Sequence, residues 1–167
     1  MSTTCHSLHL VARPEGLPGD ADFELRSQAQ EALADGQVRI AVRYLSIDPA
    51  MRVWMSEQKS YWPPVALGEV MRAGGIGEVV ESRHPRFPTG AWVSGMTGAR
   101  DELVCDGKGF RIFDASQLPH PAWALSVFGA TGLTAYFGLK EIGQAKAGET
   151  VVVSAAAGAV GSTVVQM

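Results

Sequence analysis

The segment with the most definite chemistry is Ala155-Ala156-Ala157-Gly158-Ala159-Val160-Gly161-Ser162. It follows the apolar run Val151-Val152-Val153 and reads A-x-x-G-x-x-G, a variant of the glycine pattern that opens a helix beneath a dinucleotide. Glycine at 158 would let a pyrophosphate meet the backbone where a Cβ would otherwise stand. Glycine at 161 would let the new helix pack closely on the preceding strand. The first amides of a helix have no intrahelical acceptor and carry partial positive charge, which suits phosphate oxygens. The candidate cofactor-binding residues are therefore Ala157, Gly158, Ala159, Val160, Gly161 and Ser162. A tight turn of small residues with close helix packing is the alternative. The side chain that distinguishes NAD from NADP stands about 20 positions further on, beyond Met167, so these residues do not choose between them.

Val151–Val153 shows no alternation, which predicts a parallel strand covered on both faces. Such a strand needs parallel neighbours, and Ser162 to Met167 supplies at most two helical turns. One strand and a short helix do not build a nucleotide domain, so the expectation is a fragment or a chain completed by a partner. An uncovered strand there would favour self-association. Upstream, Pro121 suits a first helical turn and a second helix is expected from about Leu133 to Ile142. Gly143 stands where a C-terminal glycine belongs, and Lys146-Ala147-Gly148-Glu149 predicts a turn.

The first 120 residues read as short strands broken by turns. Val38, Ile40, Val42 and Tyr44 alternate with Arg39, Ala41, Arg43 and Leu45, which predicts a half-buried strand after a turn at Gly36 and before Asp48-Pro49. Gly74 to Glu81 is a second strand, whose glycines suggest a bulge or the close approach of another backbone. Ala91–Val93 follows a Pro88-Thr89-Gly90 turn, and Glu102–Cys105 and Gly109–Ile112 add shorter pieces. This density of strands, Gly and Pro favours a barrel or sandwich. The expected class is α/β overall, with a β-rich domain at 1–120 and, at 121–167, connecting helices and the start of a nucleotide-binding domain.

Composition agrees with a packed protein. Of 167 residues, 46% are hydrophobic and 19% charged, which excludes general disorder. A net charge of −3 argues against a nucleic-acid partner. No apolar run reaches the length of about 18 residues needed for a membrane helix, and no signal peptide is expected. Cys5 and Cys105 stand apart, outside any CxxC pair, and fit reduced thiols in a cytoplasmic protein. His6, His9, His84 and His120 show no ligand spacing, so structural or solvent-exposed roles are expected and zinc catalysis is not.

Longer blocks carry a family resemblance. Arg13-Pro14-Glu15-Gly16-Leu17-Pro18 with Asp22-Phe23 resembles the N-terminus of the zinc-independent medium-chain dehydrogenase/reductases. The branch is that of the curcumin, prostaglandin and 2-alkenal reductases (the leukotriene B4 dehydrogenase-like group). Tyr44-Leu45-Ser46-Ile47-Asp48-Pro49 with Met51-Arg52 is similar to its YLSVDPYMR segment. Ser60-Tyr61, Pro63-Pro64, Leu67–Met71, Gly74–Gly77, Val93–Met96, Asp106–Gly109, Thr131–Leu139 and the Ala155–Ser162 turn continue the match.

The resemblance implies a GroES-like β-rich domain followed by the truncated start of a Rossmann domain. It also implies NADPH-dependent reduction of the carbon–carbon double bond of α,β-unsaturated aldehydes and ketones. Hydride goes to the β-carbon, charge develops on the carbonyl oxygen, and a proton reaches the α-carbon. The tyrosine proposed for this in the family lies in the half not represented here, so the catalytic residue is not assigned to Tyr44, Tyr61 or Tyr136. Asp48, Arg52 and Tyr61 are the candidate substrate residues; Asp48 and Arg52 could instead position the domain interface or the cofactor, or form a structural turn and a surface charge pair, and plain packing is the alternative for Tyr61. Thr131 or Thr134 near the nicotinamide is weighed against a packed interdomain helix. Where zinc relatives carry Gly-His-Glu, this chain has Leu67-Gly68-Glu69-Val70, so no zinc is implied. Ala50 replaces a tyrosine frequent in relatives, and Ala99 and Leu103 replace an aromatic pair, a loss of aromatic surface that would enlarge the pocket or weaken stacking on conjugated substrates. A cytoplasmic homodimer acting on a small molecule is expected, inactive as the isolated 167 residues. A quinone oxidoreductase of the same superfamily and a non-catalytic GroES-like interaction module are the alternatives.

Overall fold

The computed structural model describes residues 4–167. The chain divides into two compact units, the first ending at Asp114 and the second covering Ala115–Met167.

Two antiparallel sheets build the first unit. Strands β1 (Thr4–Leu10) and β2 (Phe23–Ala29) form a hairpin-like pair in which Leu8 faces Leu25. The second sheet contains β3 (Val38–Leu45), β4 (Gly74–Ser82), β5 (Trp92–Met96), β6 (Glu102–Cys105) and β7 (Arg111–Phe113), in the order β6-β3-β4-β5-β7. Its neighbours are all antiparallel. Helix α1 (Ala50–Trp54) starts at Pro49. One core gathers Leu10, Met51, Trp54, Met55, Val65 and Met71 beside α1, and a second gathers Val38, Ile40, Val79, Phe87 and Val93 within the large sheet.

The alternation expected along β3 does not appear in its burial, which falls steadily from Val38 to Leu45. Val38 and Ile40 are buried, but Arg39 between them is buried too, and Tyr44 is exposed. The cause is position. β3 lies between β6 and β4, and its register against β4 shifts at Arg39/Ile40 and at Val42/Tyr44, so the two faces exchange along its length. The glycines of β4 meet close neighbours as expected. A Cβ on Gly77 would collide with Ala41 O and stand 2.8 Å from Ile40 Cγ2. Gly36 and Gly90 hold the left-handed conformations their turns require, at φ +79° and +88°.

The second unit is helical. A 3₁₀ turn covers Pro121–Leu125, with His120 accepting from the Ala122 amide. Helix α2 (Ala130–Tyr136) continues into a π-helical segment, Phe137–Ile142. Gly143 keeps right-handed geometry, at φ −70°, and the left-handed residue that ends the segment is Gln144, at φ +50°. The turn at 146–149 forms as expected, with Glu149 N donating to Lys146 O. Helix α3 covers Ala159–Val165. The strand expected at Val151–Val153 is corrected: these residues form no strand, and Val152 is 91% exposed. No strand among the described residues of this unit offers a ladder, so the apolar run has nothing to pair with.

Candidate dinucleotide turn and substrate residues

Gly158 is the N-cap of α3, in extended conformation at φ −76°, ψ 167°. Its amide donates to Ala155 O at 2.9 Å, and Ser162 N donates back to Gly158 O at 2.8 Å. The amides of Ala159, Val160 and Gly161 head the helix and have no intrahelical acceptor. Ala155 to Ala159 are small and exposed, which leaves the bend before α3 open. A Cβ on Gly158 would stand 3.2 Å from Ala155 O, which would crowd the bend. The residues present therefore fit a diphosphate.

Gly161 has a different role from the one its spacing suggested. A Cβ there would collide with Ala155 O and stand 3.0 Å from Ala156 Cα. It lets the helix pack on its own entry turn rather than on a strand. Ala155 itself lies in the left-handed region, at φ +48°, a conformation that costs a non-glycine residue on the order of 1 kcal/mol. The sequence carries no signal of that strain.

Among the described residues, Asp48 and Arg52 form no ion pair with each other. Asp48 O accepts from Met51 N at 2.9 Å, starting α1. Arg52 donates from Nε to Gly16 O at 3.0 Å and from Nη2 to Pro14 O at 3.1 Å. It thus ties the Pro14–Gly16 turn to α1. Thr131 donates to Ser126 O, at the end of the preceding 3₁₀ turn, and Thr134 donates to Ala130 O within α2.

Tyr61 is 74% exposed, with its ring 5.9 Å from Trp62. Trp62 in turn lies 5.3 Å from the buried Trp54. The Arg72 guanidinium covers both indoles, 5.4 Å from the Trp54 ring and 5.2 Å from the Trp62 ring. Arg72 is a residue that sequence reasoning missed. An Arg between Met71 and Ala73 gives no hint that it meets two tryptophans, at positions 62 and 54, further up the chain.

Among the described residues no three His, Cys, Asp or Glu side chains gather where they could hold a metal ion. His6 pairs with Asp101 at 2.8 Å, His9 bonds Ser7 Oγ and Gly68 O, and His84 Nδ1 accepts from Arg86 N. Both cysteines are free. No helix of the described residues is long and apolar enough to cross a membrane.

Residues 6–113 match the family model described as the N-terminal domain of oxidoreductase. The chain is 45% identical over 159 residues to the NADPH-dependent curcumin reductase of Escherichia coli, covering 95% of this chain and 46% of that one. It is 42% identical over 156 residues to prostaglandin reductase 1 of Rattus norvegicus, covering 92% of this chain and 45% of that one. The crystal structure of CurA from Vibrio vulnificus in complex with NADPH superposes with a TM-score of 0.86 at 43% identity, covering 95% of this chain and 47% of that one. The chain spans about half the length of the curated relatives it matches. By the β-rich fold, the glycine turn and these likenesses together, the chain belongs to the medium-chain dehydrogenase/reductases of curcumin and prostaglandin reductase type and corresponds to their N-terminal half.

Proposed function

We propose that this chain serves an NADPH-dependent reductase of α,β-unsaturated aldehydes and ketones. The observation that supports it most is the Ala155–Ser162 turn. There an extended, uncovered glycine precedes three helix-heading amides in a chain similar to reductases that are named for NADPH. Ala157 to Ser162 hold the diphosphate, with the amides of Ala159, Val160 and Gly161 donating to its oxygens. NADPH supplies the hydride for the β-carbon when bound. Tyr61 presents its exposed ring to the conjugated substrate, while Asp48 and Arg52 hold the turns around α1. The domain boundary lies between 114 and 121, and the protein works as a cytoplasmic homodimer without zinc.

The 167 residues alone bind NADPH weakly and do not turn over substrate, because the described part of their second unit contains helices and no sheet. The test joins this chain to a complete cofactor domain and follows NADPH oxidation with 4-phenyl-3-buten-2-one and with a benzoquinone. Enone-dependent oxidation supports the reading. Oxidation by the quinone alone replaces it with a quinone oxidoreductase, and a cofactor-free dimer without either activity replaces it with an interaction module. Micromolar NADPH affinity in the isolated 167 residues would overturn the second statement.

A further inference from the structure

Residues 57–64 leave α1 and return toward Val65 without regular structure. Among the described residues, one hydrogen bond ties this segment to anything beyond Ser56. It runs from Arg72 Nη1 to Pro63 O, at 2.9 Å. The other attachments are ring contacts, and they converge on the same guanidinium. Arg72 lies over Trp62 on the segment and over Trp54 on α1, and the two indoles touch each other at 35°. The Trp54 ring has no hydrogen bond of its own to fix it, since its buried Nε1 has no partner among the described residues. Among the described residues, the ring contact that Tyr61 makes is with Trp62.

From this arrangement we infer that Arg72 is a positioning residue. Its guanidinium, lying over Trp54 and Trp62 and bonded to Pro63 O, holds residues 57–64 in the conformation that presents Tyr61 to substrate. The inference rests on the reading of Tyr61 as a substrate contact. Its structural half stands apart from that reading. Carbonyl bonding needs one N–H, and the planar cation can at the same time offer its faces to rings. Lysine can supply the charge but not the planar stacking, so it should restore only part of the effect.

Lys59 is exposed within the segment and reports its mobility to trypsin. In Arg72→Met, cleavage after Lys59, read by mass, is expected to quicken about three- to tenfold, the range that loss of a cation–π pair allows. Tryptophan emission should shift to longer wavelength, and Arg72→Lys should fall between. Trp62→Ala removes the stack without touching Arg72 and should quicken the same cut, so a folding failure of one variant does not end the test. With a complete cofactor domain attached, Arg72→Met should raise KM for 4-phenyl-3-buten-2-one by a similar factor and leave kcat near its original value. Unchanged cleavage at Lys59 in both variants overturns the inference. Faster cleavage with unchanged KM overturns its functional half. An unchanged KM in Tyr61→Ala identifies the reading of Tyr61, rather than the role of Arg72, as the failure.

Discussion

Arg39, 7% exposed on β3, donates to Glu102 on β6 at 2.6 Å. It reaches Glu81 on β4 at 3.0 Å and the carbonyl of Glu31 as well, and Gln30 donates to the other oxygen of Glu102 at 2.7 Å. One cation thus joins three strands and the segment after β2. Burial pulls the Arg39 guanidinium down, but hydrogen bonds and charge from Glu102 and Glu81 outweigh it, so it stays firmly protonated. Removing one partner leaves the other charge buried and unpaired. Arg39→Met should cost about 3 kcal/mol in urea unfolding, and Arg39→Met with Glu102→Leu clearly less. Glu81→Gln should cost under about 1 kcal/mol, because Glu81 is half exposed.

The entry turn of α3 separates two glycines by role. Gly158→Ala meets one oxygen at 3.2 Å, whereas Gly161→Ala meets backbone that cannot move aside. With a complete cofactor domain, Gly158→Ala should weaken NADPH binding about tenfold while the melting temperature stays within a degree or two. Gly161→Ala should lower both, losing about 1–3 kcal/mol of stability. Ala155→Gly should gain on the order of 1 kcal/mol by relieving the left-handed alanine. Calorimetry and cofactor titration distinguish these outcomes.

Gly77 tests the close approach of β3 and β4. Gly77→Ala must push Ala41 O or Ile40 away, and should destabilise the first unit by about 1–3 kcal/mol in urea unfolding.

Arg52 tests a structural role against a ligand role. Its two hydrogen bonds go to the carbonyls of Pro14 and Gly16. Arg52→Gln should cost about 1 kcal/mol of stability and leave NADPH affinity unchanged. A tenfold fall in affinity without loss of stability would return Arg52 to the ligand site.

Burial pushes the Cys105 thiol up, assisted by Asp106 and opposed by the Gly107 amide and by Arg100. A group held protonated by the fold contributes stability that is complete below the thiol range of the unfolded chain and lost as pH rises through the folded value. The stability advantage of the native protein over Cys105→Ala should therefore shrink from pH 8 to pH 10. Iodoacetamide should modify Cys105 severalfold more slowly in the folded protein than in urea at pH 8.5.

Local chain chemistry alone was enough to locate β3, β4 and β6, the turns at Gly36 and Gly90, and the helix that begins after Gly158. Alternation, β-branched residues and glycine act over a few neighbours, so their effect is written in the order of residues. Val151–Val153 shows where that stops: an apolar run becomes a strand only if another strand supplies hydrogen bonds. Burial of Arg39, exposure of Tyr44 and the carbonyl partners of Arg52 likewise depended on register and on segments distant in sequence. The same holds for Arg72, whose place over Trp54 and Trp62 was decided only when segments apart in sequence came together. Family and candidate cofactor turn were thus set by the residues in order. Which side chains support Tyr61, and which glycine guards the bend rather than the helix, was settled by contacts that exist only after folding.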